Sequence, residues 1–146
     1  MTLVAKYEIS VPPDQPASDL RAPGTGHFIV SVTNRVQHDG TPIYADRGRL
    51  KVAVKEVDGF PTAVDGRSSG APGLAFPRTL YPLSTTPVER ERARCVGGRE
   101  DGRCFSHVLG QELLTIEALD GSDSSTYRRT GRAEADGALI FEHMGA

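Results

Sequence analysis

Cysteine, tryptophan and lysine are scarce in this chain. It has two cysteines, no tryptophan and, among 17 basic residues, only Lys6, Lys51 and Lys55 as lysines, leaving 14 arginines. Two cysteines are too few for a disulfide-stapled scaffold. No sign of charge dominates, because 17 basic residues stand against 19 acidic ones for a net charge of −2. A polyanion binder advertises itself with a basic excess or stripe, so nucleic acid is not an expected partner. No apolar run approaches the ~20 residues of a membrane span. Residues 1–6 lack the basic stretch and apolar core of a secretory leader, so the expectation is a soluble, cytoplasmic protein with no membrane partner.

The common chemical motifs are missing as well. Nothing matches a P-loop, a dinucleotide fingerprint, an H-E-x-x-H or a calcium loop, which implies no cofactor. Cys95, Cys104 and His107 do not have the paired C-x₂₋₄-C spacing of a structural zinc site, so no metal is expected. Gly66-Arg67-Ser68-Ser69-Gly70 matches a G-x-S-x-G nucleophile elbow by letter. An elbow needs a strand before it and a helix after it, whereas Ala71-Pro72-Gly73 follows here, so the match is rejected. The mixed-charge run from Glu89 to Arg94 reads as a solvated face with local ion pairs, and Arg128 and Arg129 as the outer face of a strand.

What the chain does have is alternation with period two. Residues 3–10 place Leu3, Ala5, Tyr7 and Ile9 on one face. Residues 27–33 and 49–55 repeat the pattern, with Leu50, Val52 and Val54 opposite Lys51 and Lys55. Asp39-Gly40, Asp58-Gly59 and Asp136-Gly137 are hairpin-turn signals. Residues 104–109, 113–119, 124–134 and 138–144 read as further strands, the second of them nearly as well as a helix. Residues 76–81 read as an edge strand, since Pro77 would break a central one. Thr86-Pro87-Val88-Glu89 looks like a helix start and predicts one short helix to Val96, stopped by Gly97-Gly98. Residues 12–26 are a long Pro/Gly-rich loop, of the kind that serves as a lid. The expected fold is all-β: a single domain over 1–146, a small antiparallel β-barrel of about eight strands with one short helix and a long N-terminal loop.

Two segments carry a resemblance. Gly40-Thr41-Pro42-Ile43-Tyr44-Ala45-Asp46-Arg47-Gly48 precedes the clearest strand, and Tyr127-Arg128-Arg129-Thr130-Gly131 lies on the penultimate one. Together they resemble the turn and the aromatic-x-x-Thr-Gly strand of the allene-oxide-cyclase and dirigent type of β-barrel. Within that superfamily they resemble the spirotetronate cyclases, which are Diels–Alderases of actinomycete polyketide pathways. The arginine bias fits a GC-rich genome of that kind.

The resemblance implies an enzyme: a cofactor-independent cyclase that performs an intramolecular [4+2] cycloaddition on an apolar linear polyketide in a barrel lumen. Such a step needs no nucleophile, metal or proton shuttle, because near-attack positioning alone supplies about 7–11 kcal/mol. Tyr127 would be the catalytic residue, its hydroxyl donating to a tetronate carbonyl, with Tyr7 able to do the same. Tyr7, Phe28, Leu50, Val52, Val54, Phe105 and Phe141 would line the substrate site, and residues 12–26 would close over it. Alternating apolar faces equally build a filled core. Two other functions therefore stay open: a non-catalytic small-molecule-binding barrel, and a structural β-sandwich subunit of a phage or secretion assembly. A homodimer is a weaker expectation for so small a β-domain.

Overall fold

The computed structural model describes residues 3–10, 27–46, 50–68 and 76–144. The expected lid at 12–26 lies outside these residues. Alternation of apolar and polar side chains yields strands throughout the rest. In chain order they are β1 (Lys6–Ser10), β2 (His27–Val36), β3 (Pro42–Ala45), β4 (Leu50–Val57), β5 (Phe60–Ser68) and β6 (Arg78–Thr79). There follow β7 (Tyr81–Pro82), β8 (Arg90–Val96), β9 (Cys104–Val108), β10 (Leu113–Ile116), β11 (Ser125–Ala133) and β12 (Leu139–His143). The chain divides into two compact units, Met1–Thr33 with Pro42–Pro87, and Asn34–Thr41 with Val88–Ala146.

In the first unit the pairing order is β6-β5-β4-β3-β2, with β1 on the other side of β2 and β7 beyond β1. Asp58 and Gly59 have φ of 53° and 83°, the positive values a two-residue type I′ turn needs, and Val57 pairs with Phe60 across them. β6 pairs with β5 and β7 with β1, and only Leu80 separates β6 from β7. Segment 78–82 thus meets β5 through its first two residues and β1 through its last two. Tyr7, Ile9, Val30, Tyr44, Val52 and Leu80 meet in its core. Burying each large apolar side chain stabilises the unit by about 1.5–3 kcal/mol.

In the second unit the end of β2 runs parallel to β10, and β10, β11 and β12 follow antiparallel. β12 then pairs parallel with β8, and β8 antiparallel with β9. Its core gathers Val36, Cys95, Phe105, Leu114, Tyr127 and Phe141.

Two expectations are corrected here. Residues 86–96 form no helix, and no helix occurs among the described residues; 90–96 is β8. Arg90-Glu91-Arg92-Ala93-Arg94-Cys95 alternates, with Ala93 and Cys95 buried and Arg92 exposed. The capping signal at Thr86 is worth about 1 kcal/mol, and strand pairing on both sides of β8 outweighs it. The pairing is also mixed rather than antiparallel, and it involves twelve strands rather than about eight. All-β is the class that stands. Residues 113–116 resolve as strand.

Candidate functional site

Tyr127 sits mid-strand on β11 with its side chain turned into the second core, fully buried. Its hydroxyl donates to the Gly97 carbonyl at 2.7 Å and accepts the Glu100 N–H at 2.9 Å. Both partners belong to the turn joining β8 to β9. Burial pushes the Tyr127 phenol above its ordinary value, against the opposing pull of the Glu100 backbone bond. The hydroxyl therefore stays neutral, and its hydrogen bonds are spent on the backbone.

The same turn carries a buried carboxylate. Glu100 Oε1 lies 2.8 Å from His38 Nδ1, and Arg103 Nη1 donates to Oε2 at 2.7 Å. Arg103 Nη2 also donates to the His38 carbonyl at 2.6 Å. Burial opposes ionisation of Glu100, but the His38 and Arg103 contacts outweigh it and hold the carboxyl below its ordinary range. Tyr127 and Glu100 together pin the 97–103 turn.

The first unit uses tyrosine in the same way. Val4 N–H donates to the Tyr7 hydroxyl at 2.9 Å, and the Tyr44 hydroxyl donates to the Val4 carbonyl at 2.7 Å. The two rings pack with centroids 5.5 Å apart. Burial raises the Tyr7 phenol above its usual value, with the Val4 bond pulling the other way.

The residues expected to line one substrate site therefore fall into two separate cores. Tyr7, Leu50, Val52 and Val54 pack in the first. Tyr127, Phe105 and Phe141 pack in the second, where Phe141 meets the His107 ring at 4.8 Å. Phe28 pairs with Ile9 through its backbone, and its side chain lies outside the described part of the structure. Gly66 and Ser68 sit in extended β5, where Gly66 is covered by the Phe76 ring, and the segment after Ser68 lies outside the described residues.

No cluster of three metal-ligating side chains occurs among the described residues. Cys95 is buried and Cys104 exposed. Burial first, and then the negative charge of Glu100, push the Cys95 thiol up to about 12. Reaction requires thiolate and access, so a thiol reagent is expected to add once to the native protein, at Cys104. Intact-mass analysis reads this directly, and two adducts before unfolding would contradict the burial of Cys95.

A groove of about 550 Å³ opens on the β11–β12 face, lined by Arg128, Arg129, Thr130, Arg132, Glu142, His143 and Met144. Arg128 and Arg132 both lie at exposed positions of β11. Gly131, with φ of 84°, falls within the register shift between Arg129 and Ala133. Arg129 is committed inward: it pairs with Glu91 and donates to the Gln111 carbonyl at 3.1 Å, over the Phe141 ring. The Thr130 hydroxyl donates to the Ile140 carbonyl at 2.9 Å. Arg128 faces Glu142 across the strand pair without bonding to it. Among the described residues, Arg128 and Arg132 have no hydrogen-bond or ion-pair partner through their guanidinium groups.

Arg128 is the outer-face residue its reading in the sequence predicts, whereas Arg129, read the same way, is turned inward over Phe141 because adjacent strand residues take opposite faces. The alternation Arg128-Thr130-Arg132 was the signal for the rest of the groove, but the same pattern also describes a plain solvated strand face. No helix among the described residues is long and apolar enough to cross a membrane. No family model, curated protein or solved structure matches the chain.

Proposed function

We propose that the protein is a non-catalytic binding module that holds an acidic polypeptide segment in the arginine-lined groove of its second unit. The observation that carries this reading is the pair of unpartnered guanidinium groups, Arg128 and Arg132, on one face of β11 beside an open groove. They are four residues apart in sequence, with the irregularity between Arg129 and Ala133 lying between them. Two exposed guanidinium groups beside one groove can pair with two carboxylates of one segment. Guanidinium forks favour carboxylates geometrically, and Met144 offers an apolar contact beside them.

The cyclase reading draws less support from the geometry. It needs the Tyr127 hydroxyl for a substrate carbonyl, and that hydroxyl already bonds Gly97 and Glu100. Its wall residues are divided between two cores. The nearness of β6, paired with β5, to β7, paired with β1, supports reading the first unit as a small barrel with a filled interior.

A fluorescently labelled oligo-glutamate peptide tests the proposal by anisotropy. Saturable, salt-sensitive binding is expected, weakened roughly tenfold in the Arg128→Ala/Arg132→Ala double variant, about 0.7 kcal/mol per arginine. The melting temperature should not change, since neither side chain is bonded. Equal affinity in the double variant would overturn the reading. So would a single-stranded oligonucleotide that binds the groove more tightly than the peptide.

A further inference from the structure

On β11, β12 and the turn between them, the charges are matched with three exceptions. Arg129 pairs with Glu91, Glu134 with Arg94, and Asp136 with Arg92 at 2.6 Å. Arg128 and Arg132 remain, and so does a carboxylate: among the described residues, Glu142 has no hydrogen-bond or ion-pair partner through its side chain. Glu142 is exposed and lines the groove. It stands directly opposite Arg128 in the β11–β12 register, so the two share a face. Leu113 of β10 stands opposite Arg128, and Val96 of β8 opposite Glu142, and these apolar neighbours are 38 % and 42 % exposed. An occupant lying over the charge pair would therefore cover apolar surface as well, and excluding water strengthens the ion pairs it makes.

Resting on the reading of the groove as a site for an acidic polypeptide segment, we infer that Glu142 selects among such segments. A basic residue of the segment meets Glu142, beside the acidic residue that meets Arg128. A run of acids alone would set a carboxylate against Glu142, and like charges placed opposite one another cost binding much as opposite charges gain it. A lysine or arginine there forms an ion pair instead. The step fits an extended chain. Opposed residues of an antiparallel pair have Cα atoms ~4.5–5.5 Å apart, and alternate residues of a strand, which share a face, lie ~7 Å apart. Long Glu, Lys and Arg side chains span the difference. Arg132 differs from Arg128, since the carboxylates of the nearby turn, Glu134 and Asp136, are taken by Arg94 and Arg92. The residue meeting Arg132 is therefore an acid with no basic neighbour required. The partner is net acidic but mixed in charge, with an acid-x-base step at one end.

Anisotropy titration of the full chain with three labelled peptides tests this. Each repeats Glu-Ser-Glu-Ser-X-Ser, with X as Lys, Gln or Glu. The lysine peptide is expected to bind about threefold more tightly than the glutamine peptide, and the glutamine peptide about threefold more tightly than the glutamate one, the scale of an exposed ion pair. Net charge alone would give the opposite order on two free arginines. Glu142→Gln should erase the advantage of lysine, and Glu142→Lys should invert the order. Thermal unfolding should be the same in both variants as in the parent, because the Glu142 carboxylate has no partner to lose. Equal affinities, or a glutamate peptide that binds tightest, would overturn the inference, as would a lysine preference that survives Glu142→Gln. If those affinities still fall in Arg128→Ala/Arg132→Ala, the groove reading stands and only the role of Glu142 fails. No binding of any of the three peptides overturns both.

Discussion

Tyr127→Ala is expected to destabilise the second unit by about 3–5 kcal/mol, the cost of emptying a large aromatic site in a packed core. The hydroxyl accounts for a separable part of this. In Tyr127→Phe the ring remains against His143, with which it packs at 5.2 Å between centroids. The Gly97 carbonyl and Glu100 N–H lose their partner. Leaving buried polar groups unpaired costs about 1–3 kcal/mol. Urea unfolding reads the total, and hydrogen exchange at the Glu100 amide reads the cause, because that proton should become labile in Tyr127→Phe while β8 amides stay protected. If Tyr127→Phe is as stable as the parent and exchange at Glu100 is unchanged, the hydroxyl is not a tether. It would then be available for the substrate contact the sequence resemblance implies.

Gly98→Ala should be the next most damaging change, for two reasons that can be separated. Gly98 has φ of +64°, and a Cβ there would lie 2.6 Å from His143 Cδ2. The left-handed backbone costs a non-glycine residue about 1–2 kcal/mol, and crowding the ring adds about 1–3 kcal/mol. Gly102 in the same turn has φ of +84° with nothing within 4 Å of its would-be Cβ. Gly102→Ala therefore carries only the backbone part, and the difference between the two melting shifts measures the His143 contact. His143 also lines the groove, so Gly98→Ala should weaken peptide binding where Gly102→Ala does not. Equal shifts for the two variants would mean that the ring moves aside freely.

Much of the architecture was readable residue by residue. Leu50, Val52 and Val54 are buried as their alternation predicts, although Ala53 between the two valines is buried as well. The turn at Asp58-Gly59 follows from residue types that tolerate positive φ, and both adopt it. β8 was misread because a helix-start signal is local, whereas β8 is held by β9 on one side and by β12, more than forty residues away, on the other. β5 was passed over because Pro61, Asp65 and Gly66 interrupt its pattern. It forms because β4 and β6 pair with it from both sides.

The candidate sites divide in the same way. Tyr7 could be picked out from the alternation of its strand and Tyr127 from the aromatic-x-x-Thr-Gly resemblance, and both are buried. Where their hydroxyls go was not legible, since Val4, Gly97 and Glu100 reach them only after the chain has turned back on itself.

By itself the sequence determined the strand class, several turn positions and which side of each clear strand is apolar, since these depend on side-chain period and on local φ preference. Only the tertiary structure decided the parallel pairings, the division of the apolar residues between two cores, and the partners of the buried hydroxyls. Each of these is a contact between residues distant in the chain, and its energy comes from register and burial that no local stretch encodes.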